Sequence, residues 1–206
     1  MEYIKDPMAI EKRSFEIITE ELGDKTFPER EDKIIKRVIH TTADFEYGDI
    51  TKISDTAIDS AINALKNGCK IYTDTNMALS GINKRKLKEL NCEIYCLVHD
   101  KEVAEEAKSK GLTRSMIGME RAVKDEKTKI FVIGNAPTAL FQLLKHVDNG
   151  ETKPALIVGV PVGFVGAAES KEELVKRDIP YITTVGRKGG STVGAAIINA
   201  ILYMIK

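Results

Sequence analysis

The spacing of apolar residues changes about one third of the way along the chain. In three segments before residue 69, apolar residues recur every three or four positions, the period of an amphipathic helix. Asp6 is suited to cap the first helix, and Pro7 fits its first turn. The predicted helices are DPMAIEKRSFEIITEEL, a segment from Pro28 through REDKIIKRVIH, and SDTAIDSAINALKNG, which ends at Gly68.

After residue 68 the pattern becomes one of short apolar runs separated by helical stretches. The runs are rich in Ile, Val and Tyr and do not alternate with polar residues, as is typical of strands covered on both faces. Strands that alternate with helices form βαβ units with a parallel sheet. The sequence therefore predicts one domain over residues 1–206, a three-layer, doubly wound α/β fold with a parallel five-stranded sheet and extra N-terminal helices. The five strands are CKIYTD, CEIYCLV, KIFVIG, PALIVGV and PYITTVG.

The segments that follow four of these strands differ in composition from the other turns. DTNMALSG, GNAPTALF, PVGFVGAAESK and GRKGGSTV are crowded with Gly, Asn, Pro, Ser and Thr. At the opposite edge, LKNG, ELN and VKDEKT are ordinary helix ends and charged turns. Ligands of doubly wound sheets bind outside the carboxyl ends of the strands. The asymmetry predicts a binding site at that edge.

The last of these loops has the chemistry of an anion site built from backbone amides. Gly189 and Gly190 come directly before the final helix and Ser191 opens it, so free N–H groups there attract a carboxylate or a phosphate. Arg187 and Lys188 add positive charge. A tight turn with a capping serine explains this loop equally well when it is taken alone.

The segment PVGFVGAAESK offers almost no reactive side chain. Gly163 and Gly166 allow a large ligand to approach the backbone, so we expect the backbone to be its working part. Its glycines do not have the G-x-G-x-x-G spacing, and GRKGGST lacks the lysine and the glycine spacing of a P-loop. A nicotinamide or ATP site is therefore weakly supported.

Three histidines are candidates for acid–base chemistry. His146 lies near the end of a predicted helix, and His99 ends a strand beside an ordinary charged loop. His40 ends the second helix, where the helix dipole favours a protonated imidazole, and Asp44 is close enough in sequence to orient it. Because a lone histidine is more often structural than catalytic, both roles stay open for His40 on the residues alone.

Composition argues against several classes of protein. The 31 basic and 31 acidic residues cancel and Trp is absent, which disfavours a general nucleic-acid binder. The charged N-terminus is unlike a signal peptide, and the apolar C-terminal run is too short and too rich in glycine for a membrane span. Cys69, Cys92 and Cys96 lack metal-ligand spacing and fit reduced core residues. We therefore expect a cytoplasmic protein with no metal site.

Seven motifs in a fixed order resemble the precorrin-8 methylmutase family of cobalamin biosynthesis. They are KRSF, VIHTTADF, TDTNM, TRS, IGNAPTALF, PVGFVGAAESK and GRKGGST, and the likeness covers essentially the whole chain. The resemblance implies an isomerase that moves a methyl group from C-11 to C-12 of cobalt-precorrin-8 to give cobyrinate. It also implies a flavodoxin-like domain, a homodimer, and no cofactor, because the cobalt belongs to the substrate.

The resemblance also implies roles for single residues. The family's catalytic histidine matches His40, and its substrate-contacting serine matches Ser14. The other motif residues expected to bind substrate are Arg13, Arg114, Asn135, Gly163, Gly166, Arg187, Gly189, Gly190 and Ser191.

Two alternatives remain beside this reading. One is a metal-free precorrin-8 substrate that gives hydrogenobyrinate, although the Lys- and Ile-rich composition leans towards the cobalt form. The other is a non-catalytic corrinoid carrier. The expected partners are the corrinoid, a second copy of the chain and, transiently, neighbouring pathway enzymes that receive the intermediate.

Overall fold

The computed structural model describes residues 4–205, so residues 1–3 and 206 of the predicted domain lie outside the described residues. A six-stranded sheet runs through the centre in the order β1-β6-β5-β4-β2-β3. The strands are β1 Thr51–Ile53, β2 Lys70–Thr73, β3 Glu93–Tyr95, β4 Thr128–Ile133, β5 Leu156–Gly159 and β6 Tyr181–Thr184.

Helices precede, connect and follow these strands. Four lie before the second strand, and the last closes the described chain. The helices are α1 Pro7–Leu22, α2 Glu29–Thr42, α3 Tyr47–Ile50, α4 Ala57–Lys66, α5 Asn76–Gly81, α6 Lys84–Glu89, α7 Lys101–Lys110, α8 Arg114–Ala122, α9 Pro137–Asp148, α10 Ala167–Val175 and α11 Ser191–Met204. The α/β class is confirmed.

The five predicted strands are present and mutually parallel, but the expected total of five is wrong. A sixth strand, β1, pairs antiparallel with β6 at the edge of the sheet, with Thr51 opposite Thr184 and Ile53 opposite Ile182. It is only three residues long, TKI, and none of the three is fully buried. So short and half-exposed a strand leaves no apolar run by which the sequence could reveal it.

Alternate residues of the central strands point into two separate cores. On one face, Ile71, Val132 and Val158 pack with the inward residues of α2, α4 and α11. On the other face, Phe131 and Ile157 pack with α8, α9 and α10. The sheet is thus covered on both sides, as its continuous apolar strands predict. Helix α11, apolar around its circumference, packs along α2.

The direction of the chain through the sheet reverses at β2. This strand lies between β3 and β4, so the chain moves outward to β3 and then returns to add β4, β5 and β6 on the other side. The carboxyl ends of β2 and β4 are therefore neighbours at a topological switch point, the usual place of a binding crevice in such sheets. Two of the segments that the sequence predicts as loops are partly helical: α5 occupies much of DTNMALSG, and α10 starts at Ala167, inside PVGFVGAAESK.

Candidate active site

A buried carboxylate joins the two loops at the switch point. Asp74 directly follows β2, is 1% exposed, and accepts hydrogen bonds from the backbone N–H groups of Gly134, Asn135 and Ala136 at 2.8, 2.9 and 2.8 Å. Burial raises the pKa of Asp74, and the three amides act against that shift. Because these amides lie at the start of α9, Asp74 takes the position that this helix would otherwise offer to an outside anion. The exposed side chain of Asn135 remains available there.

The start of α11 is tied to the loop after β2. The hydroxyls of Thr75 and Ser191 are 2.7 Å apart, and Ser191 is buried. The preceding glycines have a structural reason of their own. A Cβ at Gly189 would collide with the carbonyl oxygen of Val160, which also accepts the N–H of Gly190 at 2.8 Å. The two loops cross too closely for any larger residue at position 189.

The loop after β5 carries exposed apolar side chains beside a cation. Phe164 and Val165 are 84% and 89% exposed. The guanidinium of Arg187 lies over the Phe164 ring, 5.5 Å from its centroid, and the Arg187 carbonyl accepts the N–H of Gly163 at 3.2 Å. Gly166 caps the start of α10 with φ of +77°, a conformation that costs other residues free energy. The loops after β5 and β6 thus form one surface that is both apolar and basic.

His40 lies in the last turn of α2 with an exposed imidazole. Its ring stacks on Phe15 of α1, with centroids 5.2 Å apart and planes 9° apart. The guanidinium of Arg37 also lies near Phe15, 4.7 Å from its centroid. Just beyond His40, Ala43 has φ of +52°, a left-handed conformation that costs about 1–2 kcal/mol for a residue with a Cβ. Strain of this kind concentrates at functional sites.

Ion pairs fasten the end of α2 to the loop after β6. The ammonium of Lys188 contacts the carboxylate of Asp44 and lies 2.7 Å from that of Glu46. The two carboxylates raise the pKa of Lys188, and Lys188 lowers that of Asp44. The phenol of Tyr47 also approaches the carbonyl of Gly189 at 3.5 Å. The charge of Lys188 is therefore already paired within the protein, which weakens the idea that it holds a substrate carboxylate.

The two predicted site residues of α1 differ in their surroundings. Arg13 is exposed and pairs with Glu16 and Glu20 at 3.3 and 3.2 Å. The hydroxyl of Ser14 is half-buried and donates to the carbonyl of Ile10 at 2.9 Å. Helix α1 reaches the site through the stacking of Phe15 on His40, and Ser14 directly precedes that contact.

Arg114 opens α8 at the same edge of the sheet. Its side chain is exposed, and the hydroxyl of the preceding Thr113 lies 3.3 Å from that of Thr138 in the first turn of α9. Asn135, Arg187 and the glycine loops thus lie at the edge of the sheet that the carboxyl ends of the strands form, the rim. The end of α2, which carries His40, is fastened to this rim by Lys188, and the start of α8, which carries Arg114, contacts the start of α9.

The other histidines and the cysteines have structural surroundings. His146 lies on α9, the helix that leads away from the rim, and its Nδ1 is 2.6 Å from a carboxylate oxygen of Glu151. Cys69 and Cys92 are buried and Cys96 is half-buried, all three as free thiols. Within residues 4–205, no cluster of His, Cys, Asp or Glu side chains is arranged to hold a metal ion. None of the helices in that range is long and apolar enough to cross a membrane.

The sequence prediction omits three polar residues that organise this rim: Asp74, Thr75 and Lys171. Lys171 lies on α10 and donates to the carbonyl of Lys188 at 2.7 Å. All three lie inside the motifs TDTNM and PVGFVGAAESK, so the motifs mark the right segments. Their partners are backbone groups of distant loops, and these contacts leave no pattern in the sequence.

Comparison with known proteins tests what this arrangement does. A model of the family described as precorrin-8X methylmutase matches residues 9–204. This chain belongs to the precorrin-8X methylmutase family. It is therefore an enzyme, an isomerase of cobalamin biosynthesis, and the resemblance drawn from its motifs is confirmed.

Individual relatives of the family match the chain almost end to end. It is 49% identical over 203 residues to cobalt-precorrin-8 methylmutase of Leptospira interrogans serogroup Icterohaemorrhagiae serovar Lai, covering 95% of this chain and 92% of that protein. It is also 49% identical to the cobalt-precorrin-8 methylmutase of Salmonella typhimurium, covering 100% and 99%. A crystal structure of precorrin-8x methyl mutase from Thermus thermophilus superposes with a TM-score of 0.88 at 36% identity, covering 96% and 95%.

Proposed function

We propose that this enzyme moves a methyl group from C-11 to C-12 of cobalt-precorrin-8 to give cobyrinate, with His40 as proton donor and acceptor. The observation that supports this most directly is the position of His40. The helix end that carries it is joined by Lys188 to the loop after β6. The exposed imidazole lies four residues before Asp44, one of the two carboxylates that Lys188 contacts.

The chemistry requires little from the protein. The bond from the methyl group to C-11 breaks as the bond to C-12 forms, so the atoms balance within one molecule. A proton or strong hydrogen bond from His40 to the conjugated ring draws electron density away and assists the shift. The same imidazole takes the proton back as product forms. Such general acid help is worth about 10²–10⁴ in rate. Stacking on Phe15 restricts the imidazole to one orientation.

The rim suits the two-sided chemistry of the proposed substrate. A corrinoid is apolar across its ring and carries carboxylates around its edge. Phe164 and Val165 offer exposed apolar surface to the ring, while Arg114 and Arg187 offer unburied guanidinium groups to the carboxylates. We assign Asn135 and Ser14 to the same site as hydrogen-bonding groups. We assign Gly163 and Gly166 to the surface that meets the ring, whereas Gly189 and the buried Gly190 let the loop after β6 pass close to Val160.

The names of two relatives support the cobalt form of the substrate. Both proteins that are 49% identical to this chain are cobalt-precorrin-8 methylmutases. We further propose a cytoplasmic homodimer that needs no separate cofactor and hands its product to neighbouring enzymes of the pathway. We also propose that the fold is flavodoxin-like, because the five parallel strands, numbered along the chain, have the order 2-1-3-4-5.

Turnover of cobalt-bearing and metal-free precorrin-8, followed side by side by visible absorbance, tests the proposal. We expect the wild-type enzyme to convert the cobalt form. The variant His40→Ala should fold and bind cobyrinate but lose turnover by about 10²–10⁴, because the proton donor is gone. His146→Ala, near the end of α9 that points away from the rim, is the control and should be as active as wild type.

Three results would contradict parts of this proposal. Near-native turnover by His40→Ala would remove His40 from catalysis. Faster conversion of the metal-free compound would reverse the choice of substrate. A wild-type protein that binds the precursor without changing its spectrum would be a carrier.

A further inference from the structure

A buried lysine lies behind the rim without a carboxylate to balance it. Lys171, on α10, is 1% exposed, and within residues 4–205 its ammonium forms no ion pair with an Asp or Glu side chain. Burial lowers the pKa of Lys171 to about 8. An unpaired buried ammonium is costly for a protein, and an apolar side chain of similar length would avoid that cost. A lysine at this position therefore suggests a role other than stability.

The contacts of this ammonium show what it holds. Nζ donates to the backbone carbonyl of Lys188 at 2.7 Å and to the hydroxyl of Thr184 at 3.4 Å. The same Thr184 hydroxyl donates to the same carbonyl at 2.8 Å. The carbonyl of Lys188 is thus fixed by two donors, one from α10 and one from the end of β6. Its neighbours in the chain are Arg187 and Gly189.

We propose that Lys171 is a positioning residue for the corrinoid site: by holding the Lys188 carbonyl, it keeps the loop from Arg187 to Ser191 in the shape that binds substrate. The inference rests on the proposed function, since it concerns the same site. Lys171 does not itself reach the rim surface. It acts through the loop, whose residues present a guanidinium on one side and the start of α11 on the other.

Removing the ammonium of Lys171 should lower the affinity for cobyrinate without lowering the stability of the fold. In Lys171→Met the aliphatic stem is retained beside Ala168 and Val175, which line the same groove of about 360 Å³. The Lys188 carbonyl keeps the Thr184 hydroxyl as a donor, so no buried polar group is orphaned. The melting temperature should stay the same or rise, because a buried charge is lost. The affinity for cobyrinate should fall about tenfold, because the loop is no longer held in its binding shape.

Absorbance titration with cobyrinate measures the dissociation constant and the number of sites per chain, and calorimetry measures the melting temperature. Lys176→Met is the matched control: it removes an exposed lysine directly after the last residue of α10, and it should change neither quantity. A weaker dissociation constant with a full number of sites would support the positioning role. An unchanged constant would overturn it, and so would a lower melting temperature with fewer sites of unchanged affinity, the result expected of a purely structural lysine.

A second variant decides the matter if Lys171→Met does not fold. Thr184→Val removes the other donor to the Lys188 carbonyl and should weaken cobyrinate binding in the same direction, by about threefold. Unchanged affinity in a folded Thr184→Val protein would overturn the proposal. Failure of the proposed function would look different, because it would appear in the wild-type protein, which would then not convert the precursor.

Discussion

At the scale of single residues, the rim depends on side chains that bond to backbone groups of other loops. Asp74 accepts three amides, Thr75 contacts Ser191, and Lys171 donates to a carbonyl. Each of these side chains sets the position of a loop without presenting its own reactive group to the surface. Preorganisation of this kind is what lets an otherwise unreactive set of glycines and small residues form a site of fixed shape.

The variant Asp74→Asn tests the most buried of these contacts. The amide oxygen of an asparagine can still accept the N–H groups of Asn135 and Ala136. Its NH₂ group would then face the N–H of Gly134, so that two donors meet and neither has an acceptor. We expect the free energy of unfolding to fall by about 3–5 kcal/mol, as when one partner of a buried charged contact is removed. Urea denaturation followed by circular dichroism measures it.

The control for this substitution is Asp55→Asn, at an exposed turn before α4. It makes the same chemical change where water solvates the side chain, and we expect no measurable change in stability. If Asp74→Asn proved as stable as Asp55→Asn, the loop after β4 would not depend on the carboxylate.

At the scale of elements, most of the architecture follows from the sequence pattern. Continuous apolar runs such as KIFVIG identify the buried strands because both faces of the sheet are covered. The exceptions are physical: β1 is too short and too exposed to have a period, and α5 is six residues in a segment rich in turn formers. The four segments rich in Gly, Asn, Pro, Ser and Thr follow β2, β4, β5 and β6, so they share one edge of the sheet, as their positions in the sequence predict.

The same pattern could not reveal how elements are joined across the rim. Lys188 is one of two adjacent cations in GRKGGST, and from the sequence both were candidates for binding substrate carboxylates. In the fold Arg187 faces Phe164, whereas Lys188 turns to Asp44 and Glu46. Those two carboxylates are about 140 residues away in the chain, so only the tertiary structure distinguishes the two cations.

Lys188 therefore fastens the end of α2, which carries His40, to the loop after β6. We expect Lys188→Met to lower turnover about tenfold at saturating substrate, because small displacements of a catalytic group are costly. The melting temperature should hardly change, since exposed ion pairs contribute little to stability. Steady-state kinetics and calorimetry on the same preparation measure both.

Lys33→Met is the matched control, because Lys33 also forms an ion pair with a carboxylate, Glu29, but does so at the opposite end of α2. Its turnover should equal that of wild type. A Lys188→Met enzyme with full turnover would mean that α2 holds His40 in place through its packing on α11 alone.

At the scale of the whole molecule, the net charge and the distribution of exposed apolar side chains together decide how a substrate is recognised. The net charge is zero, so long-range attraction does not bring an acidic substrate to the enzyme. We expect recognition to be local, at the place where exposed apolar side chains lie beside a cation with no carboxylate partner among residues 4–205. Phe164 and Val165, next to Arg187, meet that description at the rim.

Val165→Ser tests whether this exposed apolar surface contacts the corrinoid ring. Losing the contact of one valine side chain should cost about 1 kcal/mol of binding, a roughly fivefold weaker affinity for cobyrinate. Val175→Ser is the control, because Val175 is also an exposed valine but lies at the far end of α10. Absorbance titration measures affinity, and light scattering shows whether each variant has the mass of wild type, for which we propose a dimer of the 22.8 kDa chain.

Measuring mass together with affinity separates two uses of the same surface. If Val165 meets the substrate, Val165→Ser keeps the mass of the wild-type assembly and binds cobyrinate more weakly than Val175→Ser does. If instead a second copy of the chain covers this valine, the assembly of Val165→Ser dissociates at a higher protein concentration than that of wild type. The affinity of each assembled site for cobyrinate is then unchanged. The second result would move the apolar part of the corrinoid site away from PVGFVGAAESK and leave Arg187 and His40 to define it.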